Sequence, residues 1–144
     1  MKVLVVDDHR VVLGGLAALL RAETWVGGVA TATSIAETLE VADTDGPFDV
    51  AVLDLGLGRE NGLDLIAPLT ERMPALRVLV LTMSAEHEDA RAAVRAGAAG
   101  YVLKDSGPEE VLAAVRLVAG GGTAFSAGAA AAVLLPAREG MARR

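Results

Sequence analysis

The chain has 144 residues, is 53% hydrophobic and carries a net charge of −6. That is enough for one domain with a real core, and it excludes an intrinsically disordered chain. There is no cysteine, which excludes a disulfide scaffold and a thiolate metal or redox site and suits a reducing cytoplasm.

The acidic balance argues against direct contact with a phosphate backbone, so any nucleic-acid-binding part is expected outside this chain. No apolar run approaches the ~20 residues of a membrane span. Met1-Lys2-Val3 leads straight into a strand-like run, which is not the pattern of a signal peptide.

In chain order, Val3-Leu4-Val5-Val6 is an unbroken apolar run ending in Asp7-Asp8. A helix follows from Val11 to Ala22, with Val12, Leu16, Leu19 and Leu20 at helical spacing. Gly14 and Gly15 weaken it by up to ~1 kcal/mol each relative to Ala, so close packing is expected there. Trp25 to Ala30 reads as a poorer strand, interrupted by Gly27-Gly28.

Thr33 or Ser34 caps a helix running to about Ala42, with Glu37 placed for a capping box. Asp45-Gly46-Pro47 is a turn, and Phe48 to Asp54 is the central strand. Leu63 to Arg72 is helical, with Pro68 expected only to bend its start. Arg77 to Thr82 is a further strand, and Glu86 to Ala96 a helix with Gly97 behind it. Gly100 to Leu103 is a short fifth strand. Glu109 to Ala119 is the last helix, opened by Pro108 and stopped by Gly120-Gly121-Gly122.

Five repeats of strand and helix imply an α/β fold: a doubly wound, three-layer sandwich around a parallel five-stranded sheet. The expected strand order is 2-1-3-4-5, the flavodoxin-like arrangement, with the Trp25 run at an edge. Beyond Ser126 the texture changes to an Ala-rich stretch to Leu135, Pro136, and a basic end at Arg144. This reads either as a linker leading elsewhere or as a frayed terminus.

The strand ends carry the chemistry. Asp7 and Asp8 end the first strand, Asp54 the third, Thr82 the fourth and Lys104 the fifth. In a parallel sheet these ends converge on one rim, where doubly wound proteins keep their sites. Singly, each has an ordinary reading: Asp54 or Asp7-Asp8 as caps, Thr82 as a strand end, Lys104 as a solvated side chain. Together, a carboxylate cluster needs compensating cations. Lys104 is one, and an oxygen-ligated divalent ion, Mg²⁺ by preference, is the natural second. A carboxylate nucleophile, a metal, an ammonium and a hydroxyl form a set suited to phosphoryl transfer.

These residues resemble the receiver domain of bacterial two-component response regulators. The resemblance rests on Val-Val-Asp7-Asp8, Val-Leu-Asp54, Leu81-Thr82 and Gly100-Tyr-Val-Leu-Lys104-Asp, and covers about Lys2 to Ala119. Asp7-Asp8-His9, Ala96-Gly97-Ala-Ala-Gly100 and the later Gly-Gly-Gly-Thr-Ala-Phe-Ser are most similar to the subfamily carrying a C-terminal LuxR-type helix-turn-helix. The resemblance implies a receiver domain over 1–122 and a linker or tail over 123–144, with the DNA-binding output domain absent from this chain.

It further implies that Asp54 accepts a phosphoryl group from a sensor histidine kinase. Asp8, Asp54 and the backbone carbonyl of Gly56 would ligate Mg²⁺, with Asp7 acting through water. Lys104 and Thr82 would hold phosphoryl oxygens, and Tyr101 would turn inward as Thr82 moves. The face of residues 86–97, Tyr101 and residues 108–119 would then change shape and either form a homodimer or release a partner, in the cytoplasm and away from any membrane. Departures from the family pattern lie at Leu57-Gly58-Arg59-Glu60-Asn61, expected to be a more mobile and more charged loop, at Met83, where a small residue is usual, and at Arg10 and Leu13.

Two rivals stand beside this reading. One is a haloacid-dehalogenase-type phosphatase, but that class looks for an acid at position 56, which is Gly, and for a cap insertion. The other is a receiver working by contact alone, without phosphorylation. Gly56, Gly58 and Gly62 imitate a dinucleotide loop with the wrong spacing and after the wrong strand. His9 and His87 read as solvated helix-start residues.

Overall fold

The structure, a computed structural model, describes residues 1–126 together with Ala129 and Ala130. The rest of the Ala-rich stretch, Pro136 and the basic end lie outside the described residues. The strands are β1 (Lys2–Val6), β2 (Gly28–Ala32), β3 (Val50–Leu53), β4 (Gly56–Leu57), β5 (Glu60–Asn61), β6 (Arg77–Thr82), β7 (Gly100–Leu103) and β8 (Ala124–Phe125). The helices are α1 (Arg10–Arg21), α2 (Ile35–Asp45), α3 (Ile66–Arg72), α4 (His87–Ala96) and α5 (Pro108–Ala119), with a 3₁₀ turn at Gly62–Leu65.

The main sheet runs β2-β1-β3-β6-β7-β8, and all its pairs are parallel. With the β4–β5 hairpin set aside, its first five strands are the expected 2-1-3-4-5 order. β8 is an additional edge strand. It lies past position 122, where the sequence suggests the domain ends.

Alternation along the strands divides the core in two. Leu4, Val6, Ala51, Leu53, Val78 and Val80 face one side, with Ile66 and Leu69 of α3 and Ala90 and Ala93 of α4. Val3, Val5, Val50, Val52, Leu79 and Leu81 face the other, against Leu13, Leu16 and Leu20 of α1 and Val111, Val115 and Val118 of α5. Both faces of the central strands are therefore covered, which is why they read as unbroken apolar runs. Each buried Leu or Val contributes about 1.5–3 kcal/mol relative to exposure.

Three local expectations are corrected. β2 begins at Gly28, not at Trp25. The N-terminal ammonium donates to the Trp25 carbonyl at 2.7 Å, and Gly27 N–H donates to the Met1 carbonyl at 2.7 Å. These bonds turn residues 25–27 back onto the chain start before pairing begins. In α1 the buried stripe is Leu13, Leu16, Ala17 and Leu20, so Val12 and Leu19 fall outside it. Gly14 and Gly15 are exposed, and a Cβ at either would meet nothing within 4 Å. The close packing expected there is absent.

The loop after Asp54, expected to be loose, closes into the antiparallel β4–β5 ladder. Pro68 is the third residue of α3, because the 3₁₀ turn takes up the residues before it. At that position its missing N–H removes no helical bond.

Gly100 is required by packing. A Cβ there would lie 2.5 Å from Leu79 Cδ1 and 2.6 Å from the Ala124 carbonyl oxygen. Gly100→Ala is therefore expected to lower stability by about 1–3 kcal/mol. Gly14→Ala, in open space on a helix, is expected to raise it by about 0.5–1 kcal/mol. Urea unfolding of the two variants beside the parent checks both signs.

Candidate functional site

Sheet register delivers the site residues to one rim. Val6 pairs with Leu53, Leu53 with Val80, and Val80 with Tyr101. Ladder bonds continue one step further: Asp7 N–H donates to the Ala32 carbonyl at 3.1 Å, Asp54 N–H to Val6 at 3.0 Å, and Lys104 N–H to Thr82 at 2.8 Å. The backbone of each of these three residues is thus fixed by the strand beside it.

Their side chains meet. Lys104 Nζ lies 2.7 Å from Asp7 Oδ2 and 2.9 Å from Asp54 Oδ2. Asp7 is 3% exposed and Asp54 6%. Burial works against the Lys104 ammonium, but the hydrogen bonds and charges of Asp7 and Asp54 outweigh it and hold its pKa above the ordinary 10.5. Asp54 Oδ1 accepts a longer bond from Gly56 N–H at 3.3 Å. Gly56 itself is the first residue of β4, directly beyond the Asp54 turn.

Asp8 is oriented differently. Its Oδ2 accepts from Gly58 N–H at 2.8 Å, while its Oδ1 is buried with no hydrogen-bond partner. His9 caps α1, and its Nδ1 lies 3.2 Å from Asp7 Oδ1 and 3.1 Å from Asp8 Oδ1, in the latter case without hydrogen-bond alignment. One ligand atom from each of Asp7, Asp8, His9 and Asp54 falls within 4.8 Å of the others. Three carboxylates around one lysine leave the cluster net negative, and an orphaned carboxylate oxygen points into it. That donor set fits a hard divalent cation such as Mg²⁺. His9 thus touches the site, although its ring is largely solvated as expected. His87 opens α4 in solvent, away from the cluster.

Thr82 is buried, and its Oγ1 accepts from Ser84 N–H at 3.2 Å. Tyr101 is already inward at 1% exposure, packed in the cluster with Ala90, Ala93 and Ala98, and its hydroxyl donates to the Ser84 carbonyl at 2.8 Å. The expectation that it turns inward only after Thr82 moves does not describe this conformation. Small side chains on α4 leave it room with Thr82 still in place. Burial raises the Tyr101 pKa above its ordinary 10.0. The Ser84 bond opposes this, and Asp89 and Glu86 add to it.

Ser84 was not singled out from the sequence. It ties Thr82 to Tyr101 through its backbone and bonds Asp89 through its hydroxyl. Gly62 was noticed only as part of a false dinucleotide pattern, and its place against Asp54 was missed. A Cβ there would stand 1.9 Å from the Asp54 carbonyl oxygen, so the returning chain lies directly on the acceptor's backbone. The glycine itself was the available signal. Met83 is 69% exposed. It borders a groove of about 470 Å³ whose other walls include Val12, Leu16, Leu19 and Lys104.

Residues 3–116 match the response regulator receiver domain family. The DNA-binding transcriptional activator DevR/DosR of Mycobacterium tuberculosis (strain ATCC 25618 / H37Rv) is 42% identical over 138 residues, covering 96% of this chain and 63% of that protein. The chain thus spans less than two thirds of that relative. Among solved structures, a LuxR-family two-component response regulator from Aurantimonas sp. SI85-9A1 is 30% identical, with a TM-score of 0.82, covering 92% of this chain and 94% of that one. A Burkholderia pseudomallei response regulator, solved with a phosphorylated aspartic acid, calcium ion and citrate, is 38% identical, with a TM-score of 0.71, covering 83% of this chain and 69% of that one.

The raised pKa values define an alkaline limit. Lys104 and Tyr101 both hold their protons more tightly in the fold than in the unfolded chain. Their contribution is complete below the unfolded values of 10.5 and 10.0 and is lost as pH rises through the higher folded values. Tyr101→Phe is expected to remove part of that alkaline loss. Lys104→Met is expected to destabilise the metal-free protein by about 3 kcal/mol near neutral pH, because two buried carboxylates lose their partner. Denaturant unfolding near neutral pH and above the unfolded values checks both.

Proposed function

The chain belongs to the response regulator receiver domain family, and from that premise we propose a phosphorylation-gated switch with Asp54 as its phosphoacceptor. The observation that carries the reading is the Lys104 ammonium joining Asp54 to Asp7 while a buried Asp8 oxygen beside them accepts no hydrogen bond. An Asp54 carboxylate oxygen attacks the phosphorus of a phosphohistidine on a sensor histidine kinase. An O–P bond forms, the N–P bond breaks, and the electron pair returns to the imidazole nitrogen. The groove beside Lys104, walled by Val12, Leu16 and Leu19 of α1, suits a helix of that kinase.

Asp8, Asp54 and the Gly56 carbonyl would hold Mg²⁺, with Asp7 acting through water. Bound there, Mg²⁺ supplies charge neutralisation for the transferring phosphoryl oxygens. Lys104 Nζ exchanges its Asp54 contact for a phosphoryl oxygen. The Thr82 hydroxyl donates to another phosphoryl oxygen, giving up its bond from Ser84 N–H. Because the Ser84 carbonyl tethers Tyr101, a displaced 82–84 segment alters the face formed by α4, β7 and α5. Tyr101 already lies inward, so phosphorylation in this reading increases a population that exists beforehand.

That face then forms a homodimer, and DNA is engaged by an output domain beyond the receiver. DevR/DosR is a DNA-binding transcriptional activator, and the Burkholderia regulator was solved with a phosphorylated aspartic acid, a calcium ion and citrate. Both descriptions support the reading. The chain works in the cytoplasm as a switch, and any catalysis is limited to its own phosphorylation and slow dephosphorylation. A second reading, signalling by contact alone, draws on the inward Tyr101 in the unmodified chain.

Incubation with acetyl phosphate and Mg²⁺, followed by intact mass, separates the two. One added phosphoryl group that disappears in Asp54→Asn is expected. No gain in the parent would favour contact alone. Met83→Ala, which clears the groove wall, is expected to quicken uptake severalfold in the same assay.

A further inference from the structure

We propose that Glu60 is a positioning residue for Asp8, acting through the β4–β5 hairpin. The inference rests on the reading of Asp8 as a cation ligand given above. Gly58, with φ of 63°, stands at the hairpin tip and donates its N–H to Asp8 Oδ2 at 2.8 Å. That bond occupies one carboxylate oxygen and leaves the other, Oδ1, buried and unpartnered toward the cluster. The direction in which Asp8 presents its free oxygen therefore depends on where Gly58 is held.

Glu60 holds it. Two residues past the tip, Glu60 Oε1 accepts the backbone N–H of Ile35, the first residue of α2, at 3.1 Å. A carboxylate is favoured there because the helix N-terminus carries partial positive charge and unpaired N–H groups. Two neighbouring groups are already taken: Ser34 Oγ accepts from Glu37 N–H, and Glu37 accepts from Thr33 N–H. Glu60 satisfies a third, and it comes from outside the helix.

The hairpin's other supports are its own short ladder, Gly56 with Asn61 and Leu57 with Glu60, and contacts on its inner side. Leu57 is 3% exposed in the core, and Gly62 lies against the Asp54 backbone. Glu60 is thus the tether that joins the outer strand of that ladder to α2. Without it the tip loses its outer anchor, Gly58 releases Asp8, and the carboxylate rotates freely. A cation ligand that must be reoriented on binding holds its ion less tightly.

The test uses the full chain, with Mg²⁺ as the probe, followed by amide NMR, and with hydrogen exchange read at Gly58. Glu60→Ala is expected to weaken Mg²⁺ binding by roughly tenfold and to speed exchange of the Gly58 amide. Glu60→Gln keeps an oxygen for Ile35 N–H while removing the charge, and is expected to bind Mg²⁺ close to the parent. Parent-like Mg²⁺ affinity in Glu60→Ala, whatever its stability, overturns the proposal. So does a Glu60→Gln variant as weak as Glu60→Ala whose Gly58 amide still exchanges at the parent rate, which would make the charge near the site and not the tether responsible. Failure of the parent chain itself to bind Mg²⁺ sinks the reading of Asp8, and is recognisable because it precedes any difference between variants.

Discussion

One ammonium between two buried carboxylates is the constraint on which the site depends. Lys104 reaches Asp7 and Asp54 from the far end of a sheet in which β1, β3, β6 and β7 lie side by side. The contact exists only if those strands end level, and that requires parallel pairing in one register. The apolar runs that bury the strands on both faces therefore also position the charges. Fold stability and site geometry are set by the same residues. The arrangement is deliberately incomplete in charge, since Asp8 brings a further carboxylate and no side-chain cation answers it among the described residues except a solvated His9.

The second level of control is in the chain that leaves Asp54. Gly62 allows it to return against the acceptor's own carbonyl, and the β4–β5 ladder shapes what lies between. Polar tethers then fasten this short segment to both α1's approach and α2's start. On the opposite side, Thr82, Ser84 and Tyr101 form a backbone-mediated line from the rim toward α4. Each route pairs main-chain groups with particular side chains: Gly58 and Ile35 N–H with the Asp8 and Glu60 carboxylates, Ser84 N–H with the Thr82 hydroxyl, and the Ser84 carbonyl with the Tyr101 hydroxyl.

Much of this was legible in the sequence, for physical reasons. Doubly covered strands must be continuously apolar, so Val3–Val6, Val50–Leu53 and Val78–Leu81 announced themselves, and the polar residue closing each run, Asp7, Asp54 or Thr82, marked the rim. What failed was decided by tertiary contacts. The start of β2 depends on bonds from Met1 that no local pattern encodes. The rotation of α1, which buries Leu13 and leaves Val12 and Leu19 out, is chosen by the α5 side of the sheet. A two-residue strand such as β8 has too few positions to show a period. The hairpin after Asp54 combines glycines with charged residues, and these are the marks of a loop whether or not it pairs.

The last described residues carry a mechanical implication. Ala129 is buried in the same cluster as Tyr101 and Ala98, and Ala130 N–H donates to the Ser126 carbonyl. The chain at Ala129 is therefore a docked foothold in the same cluster as the aromatic ring. A small tilt of the ring's surroundings is thereby felt at Ala129, some thirty positions further along the polymer than Tyr101, without any strand of the main sheet having to shift.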